Sequence, residues 1–162
     1  METKIVANAG LKPLVFASHA PFWRAFTIVV MPRKDAYTQE HAKSGLDVPL
    51  PEIETFPNQY PAYEVTLDNP EFTAVCPKTG LPDFGTITIT YMPDKSLLEM
   101  KSLKEYMLAY RNIGIFQENA TNRILEDVVK ACKPKWCTVT GDFRPRGGMG
   151  TVVEARWPRP KK

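Results

Sequence analysis

Residues 84–92 alternate without a break: Ile87, Ile89 and Tyr91 fall on one face, and Thr86, Thr88 and Thr90 on the other. A period of two with β-branched residues on both faces fits a half-buried antiparallel strand and excludes a helix. The chain must therefore build a sheet with one apolar and one polar face, and something must cover the apolar one. Two helical stripes follow in the sequence. Leu103, Tyr106, Met107 and Tyr110 recur at helical spacing, Ser102-Leu103-Lys104-Glu105 fits a capping box that starts the helix, and Gly114 can end it. A second helix is predicted over 117–132, with Ala120, Ile124, Val128 and Ala131 inward and Lys133-Pro134 as the stop.

Short strands are predicted at 63–67 and 72–75, separated from residues 84–92 by a turn-rich stretch that begins at Cys76-Pro77. Residues 136–143 and 151–157 read as two closing strands joined through Arg144-Pro145-Arg146-Gly147-Gly148. Strands, two helices, then strands give an α+β layer: an antiparallel sheet with two helices on one face. The first fifty residues hold no sustained period, with Pro13, Pro21, Pro32, Pro49 and Pro51 breaking them up. They read as an irregular extension, with a short strand at 26–30 and a domain at 51–162. Residues before about Leu46 are expected to be dispensable for activity.

At 162 residues the chain suits one domain, which buries roughly 70% of its unfolded surface and needs no disulfide staples. Cys76, Cys132 and Cys137 form an odd set without a C-x-x-C pair, and the chain has two His, so no metal site is expected and a reducing cytoplasm is. The longest apolar stretch, 25–31, falls far short of the roughly 20 residues that span a bilayer, so no membrane anchor is expected. Arg144, Arg146, Arg156, Arg159, Lys161 and Lys162 crowd the C-terminal end. That edge reads either as a solvated tail or as a site for the phosphates of a cofactor or RNA.

Four places could carry chemistry. Cys76 follows a strand and opens a turn; it is either a small buried hydrophobe or, on a loop held by rigid strands, a nucleophile toward electrophilic carbon. Asp83, the carboxylate of that turn, is either a turn-capping residue or a proton donor. Lys101 and Lys104 stand three apart at a helix start, where free amides favour anions, and read equally as surface lysines or as phosphate ligands. Gln117-Glu118 opens the second helix, where Glu118 either answers the helix dipole or binds the polar edge of a heterocycle.

These motifs resemble one family. Phe56-Pro57-Asn58, the loop FTAVCPKTGLPDFGTI, the block LEMKSLKEY, YRN, NRI and GDFRPRGG are together similar to the single-domain NADPH-dependent 7-cyano-7-deazaguanine reductases (QueF), over about 50–157. The resemblance implies a tunnelling fold (T-fold), whose antiparallel sheets close a barrel in a homo-oligomer, a decamer of two pentamers with active sites between subunits. It implies that Cys76 attacks the nitrile carbon to form a thioimide and that Asp83 donates a proton. Leu98, Glu99, Met100, Gln117 and Glu118 would bind the deazaguanine, and Lys101 and Lys104 the NADPH. The product would be 7-aminomethyl-7-deazaguanine, for queuosine synthesis in the cytoplasm, without direct tRNA binding. Gln117 stands where the family has His, and Met100 and Glu105 depart from the lysine motif. The alternatives are the related amidinotransferase, which adds ammonia to nitrile already in tRNA and lacks the lysine motif, and a non-catalytic T-fold protein that binds a deazapurine or pterin.

Overall fold

The computed structural model describes residues 36–159, all within the compact unit Asp35–Lys162. The strand expected at 26–30 lies outside the described residues. In chain order the elements are α1 (Gln39–Lys43), β1 (Thr55–Pro57), β2 (Val65–Val75), β3 (Pro82–Met92), β4 (Ser96–Leu98), α2 (Met100–Ala109), a 3₁₀ turn (Tyr110–Asn112), α3 (Gln117–Cys132), β5 (Trp136–Arg146) and β6 (Met149–Trp157).

The main sheet is antiparallel throughout, in the order β2-β3-β5-β6, with β1 and β4 pairing separately. β3 alternates as its sequence requires: Ile87, Ile89 and Tyr91 are buried, and Thr86, Thr88 and Thr90 are half-buried on the opposite face. There Thr88 donates to Asp68 at 2.7 Å, and Thr90 meets Thr66 at 3.3 Å across β2. The apolar face joins Phe72, Val139 and Phe143 to the stripes of α2 and α3 in one core. Each such side chain contributes about 1.5–3 kcal/mol when fully buried. Leu103, Tyr106, Met107 and Tyr110 are buried as the first stripe predicts. Along α3, Ala120, Ile124 and Val128 are buried, Ala131 is half-buried, and Lys133 ends the helix in a left-handed conformation.

Two local expectations are corrected. The strands expected at 63–67 and 72–75 are one strand, β2, with an irregularity between Asn69 and Phe72. Pro70 cannot donate to the ladder and Asn69 accepts from the Glu71 amide at 3.2 Å, so the chain bulges and resumes pairing. α2 starts at Met100, not Ser102, because the Glu99 carboxylate caps it: Oε1 accepts from the Lys101 amide at 2.9 Å and Oε2 from the Ser102 amide at 2.7 Å. Ser102 lies inside the helix and accepts from the Glu54 amide at 3.0 Å. The described part of the N-terminal stretch is bonded to residues further along the chain. Ser44 Oγ donates to the Gly114 carbonyl at 2.6 Å, Asn119 donates to the Ala42 carbonyl at 2.7 Å, and the Arg123 guanidinium donates to the carbonyls of Gly45 and Val48.

Candidate active site

β2 runs out at Val75, and Cys76 opens a six-residue hairpin loop into β3. The Cys76 amide donates to the Leu81 carbonyl at 2.9 Å, and the Cys76 carbonyl accepts from the Gly80 amide at 2.9 Å. Behind the loop the Val75 amide donates to Ile113 and the Ile115 amide donates to Val75, at 3.0 and 2.9 Å. This parallel bridge brings the segment before α3 against the strand that carries Cys76.

The thiol is nearly enclosed, with 7% exposure. Burial alone would push it up. Hydrogen bonds from the Thr79 and Arg146 side chains, and from the Thr79 and Lys78 amides, outweigh that effect and hold it down to about 7, from an ordinary 9.0. Burial works unopposed by comparable donors at the other two cysteines, pushing Cys132 up to about 11 and Cys137 up to about 12. Iodoacetamide should accordingly modify Cys76 alone at pH 8, at a rate that rises as pH increases through about 7, because the thiolate is the nucleophile. Peptide mapping of the alkylated protein checks this; labelling first at Cys132 or Cys137 would contradict it.

Asp83 is buried on β3, opposite Ala74 of β2. Gln117 Nε2, from the first turn of α3, donates to its Oδ1 at 3.1 Å, and Arg146 forms an ion pair with it. Arg146 thus bonds both the thiol and the carboxylate. It is held at the end of β5 by the Gly147-Gly148 turn, whose two positive φ angles suit a two-residue hairpin. Its place in this cluster was not anticipated; the signal available was its position immediately before Gly-Gly in the GDFRPRGG run. Glu118 is exposed on the same first turn as Gln117.

The other predicted site residues lie elsewhere. Glu99, Met100, Lys101 and Lys104 line a cleft of about 840 Å³ between the start of α2 and the bulge of β2, together with Arg111 on the same side of the helix. Cys76, Asp83, Gln117 and Glu118 are outside this cleft. Leu98 is in the core, so its side chain does not face the cleft. The amides expected to be free for an anion at the helix start are instead taken by Glu99, whose carboxyl is held below its ordinary range by the Ser102 and Lys101 amides. The cations that line the cleft there are the two lysines and Arg111.

Three arginines of the basic C-terminal edge are paired within the chain. Arg146 pairs with Asp83, Arg156 with Glu154 and Arg159 with Glu126. Among the described residues no cluster of His, Cys, Asp or Glu could hold a metal ion, and no helix is long and apolar enough to cross a membrane.

Comparison with known proteins identifies the setting. The profile of the family described as "QueF-like protein" matches residues 82–162. The NADPH-dependent 7-cyano-7-deazaguanine reductase of Elusimicrobium minutum is 59% identical over 122 residues, covering 75% of this chain and 92% of that protein. The enzyme of the same name from Chlorobaculum tepidum is 55% identical over 112 residues, 68% of this chain and 96% of its own length. In three dimensions the chain is similar to the archaeosine synthase QueF-Like in its apo form, with a TM-score of 0.56 and 26% identity over 60% of this chain and 95% of that one. Identity more than twice as high decides between the two: the chain belongs to the family of NADPH-dependent 7-cyano-7-deazaguanine reductases.

Proposed function

We propose that this protein reduces the nitrile of 7-cyano-7-deazaguanine to the aminomethyl group of 7-aminomethyl-7-deazaguanine, with NADPH as reductant, in queuosine biosynthesis. The observation that carries the mechanism is the shared cluster of Cys76, Asp83 and Arg146. The Cys76 thiolate attacks the nitrile carbon, a C–S bond forms, and one π bond of the nitrile opens onto nitrogen. Asp83, the carboxylate paired with Arg146, takes up the proton that leaves the thiol and passes it to that nitrogen, giving a neutral thioimide. Arg146 stabilises the thiolate before attack and fixes the carboxylate beside it. Gln117 orients Asp83 through its amide, and Glu118 offers a carboxylate to the guanine-like edge of the substrate. Two NADPH, bound in turn, would supply the two hydrides that take nitrile to amine, and the C–S bond breaks between them so that sulfur returns to Cys76 as the thiolate.

Lys101, Lys104 and Arg111 suit the phosphates of such a cofactor: three cations line one cleft beside the apolar Met100 and Leu108. Because this cleft is separate from Cys76 within one chain, a complete site calls for a neighbouring subunit. The two long edges of the sheet, β2 and β6, support the same assembly, since among the described residues each is unpaired on its outer side and pairing between copies would close a T-fold barrel. We infer a homo-oligomer of this type, a decamer of two pentamers, working in the cytoplasm. The lysine-lined cleft and the internally paired arginines favour reduction of a small molecule over the ammonia-adding reaction on tRNA.

Substrate-dependent loss of NADPH absorbance, with the amine identified by mass spectrometry, tests this reading. A Cys76 adduct without NADPH oxidation would move the assignment to the amidinotransferase, to be assayed with ammonia and tRNA. Lys101→Ala should raise the apparent KM for NADPH by roughly 10-fold, the effect of losing one charge-assisted contact, while leaving the substrate KM nearly unchanged. Steady-state kinetics with each reactant varied in turn separates the two; equal effects would remove Lys101 from the cofactor site.

A further inference from the structure

We propose that residues 37–48 form a strap that fixes the Cys76 loop against the start of α3, with Tyr37 as its positioning residue. The proposal rests on the reading of Cys76 as nucleophile and extends it to a part of the chain outside the family profile's match at 82–162.

One end of the strap is anchored from behind. Ser44 donates to Gly114, Asn119 donates to Ala42, and Arg123 reaches the carbonyls of Gly45 and Val48. Gly45 has φ +78°, and a Cβ there would sit 2.7 Å from both the Gly114 carbonyl oxygen and Ile115 Cβ. Only glycine permits so close an approach. The surface it approaches is the bridge that holds Val75, the residue before Cys76.

The other end reaches around to the front. The Tyr37 ring lies 5.7 Å from the Phe116 ring, and Lys78 Nζ lies 5.3 Å from the centre of the Tyr37 ring. Lys78 belongs to the Cys76 loop, and its amide is one of the donors to the thiol. Phe116 immediately precedes Gln117, which bonds Asp83. Tyr37 therefore touches both arms that converge on the reacting groups. The chain's entry from Tyr37 into α1 is set by the Thr38–His41 capping box, in which Thr38 Oγ1 accepts from the His41 amide at 3.2 Å and meets its ring nitrogen at 2.8 Å. With 63% exposure, Tyr37 adds little to the core, so replacing it should act on the loop and not on folding.

The test uses the full chain with Tyr37→Ala, Tyr37→Leu and Tyr37→Phe. The groups that bear on the thiol are the Thr79 side chain, the Thr79 and Lys78 amides and Arg146, with Asp83 paired to the latter. In Tyr37→Ala and Tyr37→Leu the loop donors lose their fixed geometry, so the midpoint of Cys76 alkylation moves from about 7 toward 9.0. The turnover number falls roughly 10- to 100-fold through misplacement of the nucleophile, with an unchanged melting temperature. Tyr37→Phe, which keeps the ring, should match the parent in both. An unshifted alkylation profile in Tyr37→Ala, or a Tyr37→Phe enzyme as impaired as Tyr37→Ala, overturns the role of the ring. If the profile shifts as expected in a protein that reduces no nitrile, the strap stands and the functional reading falls.

Discussion

Cys76→Ala should leave a folded protein that binds 7-cyano-7-deazaguanine, forms no adduct and shows no measurable turnover, a loss of roughly 10⁴- to 10⁶-fold in kcat. A nitrile carbon is a modest electrophile, and covalent capture both holds it in place and converts its triple bond to a reducible C=N bond. Neither of the other cysteines can take over. Cys132 and Cys137 are buried in the core, and burial keeps both as neutral thiols at any pH at which the protein would be assayed. Cys76→Ser tests the same point from the side of chemistry. A hydroxyl fills the space and keeps the Thr79 and Arg146 donors partnered but lacks a populated anion, so it should be as inactive as alanine. Intact-protein mass spectrometry after incubation with the nitrile should show the adduct in the parent chain alone; an adduct or residual reduction in Cys76→Ala would end the covalent mechanism.

The sheet was legible because burial on one face writes a period of two into β3, and the length of α3 because an amphipathic stripe meets a Lys-Pro stop. Elsewhere local patterns competed with contacts that come from far away in the chain. Ser102-Leu103-Lys104-Glu105 has the form of a cap, yet Glu99 performs the capping, a residue outside the usual Ser, Thr, Asp and Asn set. Asn69-Pro70 reads as a break, but pairing on both sides with β3 carries the strand across it. The irregular look of 36–50 reflects anchoring by glycine, serine and main-chain carbonyls, which leave no hydrophobic period to read. At the site, Cys76 and Asp83 were marked by their loop, and Gln117 by its place on α3. Their convergence depends on the parallel bridge at Val75 and Gly114, which no spacing predicts. Arg146 required the β5–β6 hairpin to be folded before its reach toward Asp83 could be known.

Asp83→Asn separates capture of the nitrile from delivery of the proton. The replacement keeps the shape of the side chain, and its carbonyl oxygen can still accept from Gln117, but it can neither take up the thiol proton nor hand it on. The turnover number should fall by about 10² to 10⁴-fold, the usual contribution of a positioned general acid, with a much smaller change in substrate binding. The effect on Cys76 should run the other way. In the parent chain Arg146 divides its donors between the Asp83 carboxylate and the thiol; without the carboxylate its charge is no longer neutralised there and acts on sulfur alone. The alkylation midpoint should therefore fall below about 7, so that Cys76 reacts as fast as or faster than in the parent at neutral pH while the reduction is crippled. A purely structural role for Asp83 would disorder the cluster and lower both rates together. Gln117 makes the contrast sharper, because an amide cannot titrate and so cannot replace the lost acid. Gln117→His introduced alongside Asp83→Asn should recover part of the lost turnover as pH falls through the imidazole range, where the ring is protonated. No recovery at any pH would mean that proton delivery depends on the position of the Asp83 oxygen and not merely on an acid within reach of the cluster.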